Sequence, residues 1–387
     1  MHRIPRIHLA IDNCFAYKRF TKPMEWCSVV RDLGLKCIEA SADNELDPLF
    51  MGREYLADWT GEVLEAQKAT GAKVVNLYSG HGTYVTLGLT HTDERVRERM
   101  VNDWFAPMID IAAELGSGFG FFAHAFSHAA LQSPESYARQ VALLTEMLTR
   151  LNIYAKEKGC GALSVEQMYS PHQYPWTIEQ TAGLMADVSR MSGKPFYFTE
   201  DVGHHCMKFL RPSDEKAASL LGNVRPGSWL GSDNADRLAA AAKPGDGEAL
   251  KALIADMDAN PQLFAGEKDG DCYEWIRRLG RYSPIIHLQQ TDGVQSSHKP
   301  FTPELNAWGK VHGDRVLKTL WECCQAPEEP GMPEPCEDIY LTLEIFVGTT
   351  AILRDNLNEL RESVKYWRRW IPEDGMPLDQ LVARIDG

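Results

Sequence analysis

The 387-residue chain is short of positive charge. Its 40 lysines and arginines face 54 aspartates and glutamates, a formal net charge of −14. That balance repels polyanions at long range and makes a nucleic-acid partner an unfavourable expectation. Long hydrophobic runs are missing too: none approaches the roughly 20 residues of a membrane span. The opening MHRIPRIHLAIDNC has no long apolar stretch followed by a small-residue cleavage site, so neither a membrane partner nor a signal peptide is expected. There is no Asn-x-Ser/Thr acceptor and no C-x-x-C spacing among the nine cysteines. An odd, scattered set of thiols suits a reduced, cytoplasmic protein rather than a disulfide scaffold.

What is present is enough apolar material for a large core: 44% hydrophobic residues, ten of them tryptophan. Apolar, β-rich runs alternate with helical patterns along the whole chain. The expected strands are Ile4–Ile11, Lys36–Ala40, Lys73–Tyr78, Phe119–Ala123, Ala162–Val165, Pro195–Thr199, Pro284–Leu288 and Ile339–Phe346. Helices are expected over Pro23–Leu33 with Thr21 as cap, Arg53–Thr70, Thr92–Leu115, Pro134–Lys158, Ile178–Met191, Pro303–Cys324 and Thr350–Trp370. Glycines 71, 116, 159 and 193 stand where helices should stop, as C-terminal capping favours. Strict alternation of this kind predicts an α/β fold, a (β/α)₈ TIM barrel, with a doubly wound open sheet as the alternative. A single barrel domain over 1–370 is expected, with a long insertion at 206–281 after the sixth strand and a C-terminal extension at 371–387. The insertion carries helical patterns at Gly247–Met257 and Cys272–Leu279, and its place on the loop face makes it a candidate lid. The run GSGFGF at 116–121 follows a helix and precedes a strand, the wrong order for a dinucleotide-binding turn.

In a TIM barrel the chemistry sits at the C-terminal ends of the strands. Strands five to eight bring Glu166, Asp201, His287 and Glu344 there. Three buried carboxylates without a cation would repel one another and lose hydration, so a divalent ion gives the set a physical reason. Oxygen-rich ligands with one imidazole suit Mn²⁺, Mg²⁺ or Co²⁺, with Mn²⁺ preferred, over a thiolate-loving metal. Asp201-Val202-Gly203-His204 adds an Asp-x-x-His element. Further polar residues after strands, His81, Glu39 and Gln289, are candidate substrate contacts. His124, His128, Asp12 and Lys299 are weaker candidates, since loop polarity or structural hydrogen bonding accounts for them equally well.

This ordered set resembles the metal site of the xylose-isomerase-like TIM-barrel superfamily, and especially its sugar isomerase and epimerase branch with the ketose 3-epimerases. The resemblance implies that Glu166 and Glu344 both bind the ion and exchange protons with a substrate carbon. It implies that Asp201 and His287 complete the coordination and that His204 contacts a substrate oxygen. The expected reaction is isomerisation or epimerisation of a small ketose, sugar phosphate or polyol-derived sugar through a cis-enediolate. The alternative is a dehydratase or decarboxylase acting on a sugar acid or inosose-like substrate at the same site. Ketose 3-epimerases generally carry a second Glu and an Arg where this chain has His172 and Gly293, and His172 joins the expected substrate contacts. The resemblance also implies a homo-oligomer.

Overall fold

The computed structural model describes residues 3–80, 86–205 and 208–387. The strands are β1 (Arg6–Asp12), β2 (Cys37–Ser41), β3 (Lys73–Tyr78), β4 (Gly118–Phe121), β5 (Leu163–Glu166), β6 (Tyr197–Asp201), β7 (Ile285–Leu288) and β8 (Asp338–Leu343). Each lies within three residues of its expected bounds. They pair in parallel in chain order, and β1 pairs with both β8 and β2, which closes the sheet into a barrel. The open-sheet alternative is thereby excluded.

Period-two alternation sorts the side chains. On β6, Phe198 points out and packs with Ile178, Met185 and Trp275 under a helix layer, while Thr199 and Asp201 point into the barrel. The interior is polar in its middle layer, where the Ser164 and Thr199 hydroxyls bond at 2.9 Å. Gly120 lies over that pair, and a Cβ there would meet Asn76, Ser164 and Thr199 at 3.1 Å. Small residues at this level leave depth for larger polar side chains above them.

The helices at Arg53–Thr70, Pro134–Lys158 and Cys272–Leu279 run over the expected residues. Three other expectations need correction. The first helix is capped at Lys22, not Thr21, and Glu25 folds back to accept from both backbone N–H groups at 3.1 and 3.0 Å. The helix expected over Thr92–Leu115 is Glu94–Met100, a π turn at Val101–Phe105, and Ala106–Leu115. Pro107 has no N–H to give the preceding turn, so the regular hydrogen-bond ladder cannot run through it. The helix expected over Pro303–Cys324 is broken into Pro303–Asn306 and Gly313–Gln325. The break is filled by the buried Gln290 amide, which accepts from Val311 N at 3.0 Å and donates to Asn306 Oδ1 at 2.9 Å.

Between β6 and β7 lie helices at Asp214–Leu220, Asp233–Ala241, Gly247–Ala259 and Cys272–Leu279. The C-terminal residues add a short antiparallel strand, β9 (Met376–Pro377), to the start of β1, followed by a helix at Leu378–Asp386. Among the described residues no helix is long and apolar enough to cross a membrane.

Candidate active site

The ends of β5 to β8 converge. Ligand atoms of Glu166, Asp201, His287 and Glu344 all lie within 4.8 Å of one another, and all four side chains are buried. Asp201 and His287 are paired directly in the sheet register, while Glu166 ends β5 and Glu344 directly follows β8. His287 Nδ1 lies 3.1 Å from Glu166 Oε1 and 3.4 Å from Glu344 Oε2.

The supports behind these groups are specific. Glu39, expected to contact substrate, instead bonds the far nitrogen of His287: its Oε2 is 2.7 Å from Nε2, and its Oε1 accepts from Asn76 at 2.6 Å. A carboxylate behind the imidazole fixes the ring and leaves Nδ1 facing the cluster, the arrangement that supports a metal-ligating histidine. Gln289 likewise stands behind a ligand, donating to both oxygens of Asp201 at 2.8 and 3.0 Å. Gln167 clasps the Asp201 backbone, accepting from its N at 2.8 Å and donating to its O at 3.0 Å.

The electrostatics ask for positive charge. Burial pushes the Glu344 carboxyl well above its ordinary value; His287 pulls against this, and Asp201 and Glu166 add to it. Burial alone would disfavour the charged form of His287, but Glu344 and Glu39 outweigh it and raise the imidazole well above normal. Burial also works against a charged Asp201, but His204, His298 and His287 override it and hold the carboxyl at about 2. Among the described residues Glu344 Oε2 is buried without a hydrogen-bond partner. Three carboxylates, one of them carrying that orphaned oxygen, and one imidazole nitrogen form a donor set that fits one divalent ion.

A cavity of about 260 Å³ opens onto this cluster. Glu166, Glu344 and His204 reach it, with Tyr78, Phe122, Met168, Tyr169 and Phe346 as its apolar and aromatic walls and Ser296 and His298 as further polar lining. The Tyr78 hydroxyl donates to Glu166 Oε2, and its ring meets His287 edge-on at 4.9 Å. His204 is anchored through Nδ1 to the Gln167 carbonyl at 3.0 Å, with Nε2 3.5 Å from Asp201 Oδ2. A second grouping, Asp201, His204 and His298, also brings ligand atoms within 4.8 Å.

Other expected candidates fall elsewhere. His172 bonds the Phe126 carbonyl at 3.0 Å and is not among the described residues lining the cavity. His81 lies outside the described residues. His124 is buried between Phe105 and Phe122, His128 is on the surface 3.5 Å from Asp233, and Lys299 is exposed. Asp12 accepts from Cys14 N at 2.5 Å but stays beside the cluster, buried, where Glu39 and Glu344 add to burial in raising its carboxyl. Reading the sequence missed Tyr78, Ser296 and His298. Tyr78 was findable, because it ends a strand whose inward positions include Asn76; the other two depend on a turn that no periodicity announces.

Comparison with known proteins agrees with this fold. A family described as xylose isomerase-like TIM barrel matches residues 27–260. The D-erythrulose 1-phosphate 3-epimerase of Brucella abortus (strain 2308) is 24% identical over 357 residues, covering 90% of this chain and 91% of that protein. A candidate xylose isomerase from Rhodospirillum rubrum superposes with a TM-score of 0.65 at 20% identity, over 94% of this chain and 99% of that one. The D-psicose 3-epimerase of Clostridium cellulolyticum H10 has a TM-score of 0.50 at 12% identity, over 98% and 97% of the two chains. This chain therefore belongs to the xylose isomerase-like TIM-barrel family, with ketose 3-epimerases among its structural relatives.

Proposed function

We propose that this protein is a divalent-metal-dependent epimerase or isomerase of a small ketose or ketose phosphate. The observation that carries this reading is the buried Glu166–Asp201–His287–Glu344 cluster opening onto a cavity with both glutamates at its wall. The similarity to a D-erythrulose 1-phosphate 3-epimerase supports a short ketose phosphate as the first substrate to test.

Asp201 and His287, held from behind by Gln289 and Glu39, would fix the ion together with the two glutamates. A divalent ion bound there would polarise a ketose carbonyl and its neighbouring hydroxyl, and so acidify the carbon between. Glu166, oriented by the Tyr78 hydroxyl, takes that proton, and Glu344 returns one to the enediolate, giving the epimer when the two carboxylates address opposite faces. His204 Nε2 donates to a substrate oxygen, and the aromatic walls keep bulk water from the reacting carbon.

The test is metal analysis combined with a D₂O exchange screen over C4 to C6 ketoses and their phosphates. One divalent ion per chain and deuterium entering at the carbon beside the carbonyl are expected, and Glu166→Gln should lose about 10²–10⁴-fold in exchange rate. Release of water or CO₂ would assign a lyase instead. Absence of both a stoichiometric ion and any exchange would refute the reading.

A further inference from the structure

After β7 the chain turns back on itself. Gln290 and Lys299 pair across an antiparallel bridge, N to O at 2.8 Å and in return at 3.3 Å. This hairpin returns Ser296 and His298 to the cavity wall. His298 is held there at a cost: its φ is +44°, a left-handed conformation that a non-glycine residue adopts only when its surroundings impose it. Its ring stacks on Phe346 with centroids 4.0 Å apart.

Gln289 does the imposing. Its Oε1 accepts from the backbone N–H of Ser297 at 2.8 Å and of His298 at 2.6 Å, which settles which end of the amide is the nitrogen. That nitrogen donates to Asp201 and, at 3.0 Å, to Ser296 Oγ. Ser296 therefore accepts from Gln289, and its own proton has two acceptors, the crowded Gln289 Oε1 at 3.4 Å and His298 Nε2 at 2.9 Å, of which the shorter contact takes it. With Nε2 accepting, the neutral imidazole carries its proton on Nδ1. Among the described residues Nδ1 makes no full hydrogen bond, the Glu344 backbone carbonyl acting on the ring only weakly, and it lies 3.3 Å from Glu344 Oε2, out of line for a bond. With Glu344 Oε2 left to the ion, an imidazole N–H lacking a full hydrogen bond at the cavity wall marks a place for a ligand oxygen.

We infer that His298, presented by the Gln289–Ser296 relay, is a substrate contact whose Nδ1–H binds a ketose oxygen beside Glu344. This rests on the epimerase reading above. The donor is neutral and directional, suited to a hydroxyl or carbonyl oxygen of the sugar. The amide that orients Asp201 also sets this contact, so the ion and the substrate are positioned through one side chain.

The test compares metal-loaded wild-type protein with His298→Ala, His298→Asn and Ser296→Ala, using D-erythrulose 1-phosphate and D-fructose as probes. Carbon-bound proton exchange gives kcat and KM, and Mn²⁺ is counted per chain. His298→Ala should lower kcat/KM about tenfold for the probe that is turned over, with the ion count unchanged at one. His298→Asn places an amide N–H near Nδ1 and should recover most of that loss. Ser296→Ala frees the proton to sit on Nε2 and should give an intermediate loss; it carries the test if His298→Ala does not fold. Unchanged kcat/KM in both Ser296→Ala and a folded His298→Ala overturns the proposal. So does a wild-type count of two ions falling to one in His298→Ala, which would make His298 a ligand of a second cation with Asp201 and His204. Wild-type protein that binds no ion and exchanges neither probe refutes the epimerase reading, and this proposal with it.

Discussion

At the residue scale, single buried groups act through the atoms they hold. Glu39 is fully buried, and its carboxylate grips His287 from behind. Glu39→Gln keeps the shape and the acceptor from Asn76 but loses the charge that makes the imidazole a better ligand. Metal affinity should fall about 10–100-fold, read by competition with a chelator, while the fold persists. His124 is the second case. Among the described residues both its ring nitrogens lack partners, its φ is +61°, and burial pushes its pKa down to about 4. The folded protein holds it neutral where the unfolded chain, titrating near 6.5, already takes up a proton. Stability from this residue is therefore intact above the unfolded value and is lost as pH falls from about 6.5 toward 4. His124→Asn, which tolerates the left-handed backbone, should be less stable at neutral pH yet lose about 3 kcal/mol less between pH 7.5 and 4, measured by urea unfolding.

The element scale separates what the sequence announces from what it does not. Glu166, Asp201, His287 and Glu344 were legible because alternation along short apolar strands dictates which residues face inward at the strand ends, and four such ends in order define one place. Glu39 and Gln289 were legible as participants but not in their roles. Whether an inward carboxylate meets substrate or a neighbouring imidazole depends on barrel stagger, and sequence alone leaves stagger open. Ser296 and His298 were invisible because a ten-residue return from β7 follows no period; Gln289 fixes it. The two broken helices teach the same lesson: Pro107 was a readable breaker, whereas the intrusion of Gln290 between Asn306 and Gly313 comes from the loop after β7, 16 positions before Asn306. Gly203 ties the β6 end to this machinery. A Cβ there would sit 2.2 Å from the Gln289 amide carbon, so only glycine lets the two strand ends pack. Gly203→Ala should displace Gln289, costing about 1–3 kcal/mol in stability. It should also weaken metal binding together with the His298 contact, visible as a joint loss in calorimetric ion titration and in KM.

At the scale of the whole molecule, the barrel is finished by residues outside the eight-strand plan. β1 pairs with β2 only from Ala10 onward, leaving its first half open on that side. The C-terminal segment fills the gap: Gly375 N donates to Ile7 O at 2.9 Å, Leu378 N to Pro5 O at 3.0 Å, and Leu9 N to Asp374 Oδ1 at 2.9 Å. Arg368 in turn pairs with Asp374 at 2.8 Å. Asp374→Ala strips one acceptor from the Leu9 amide and the counter-charge from Arg368. A loss of about 1–3 kcal/mol in denaturant unfolding is expected, with the metal count unchanged because the cluster lies at the opposite ends of the strands.

The seam between β1 and β8 has a consequence in time. Arg6 and Asp338 are 332 positions apart in the chain yet bonded in the closed barrel. As the chain leaves the ribosome, β1 must wait for nearly all the rest before its last neighbour exists, and until then the growing sheet has an exposed, unpaired border. Contacts this remote in sequence are slow to form, and open borders recruit other chains. Recovery from denaturant should accordingly be limited by closing the ring, and yield should fall as protein concentration rises. The four residues of the cluster come together only near that final step, since Glu344 directly follows β8.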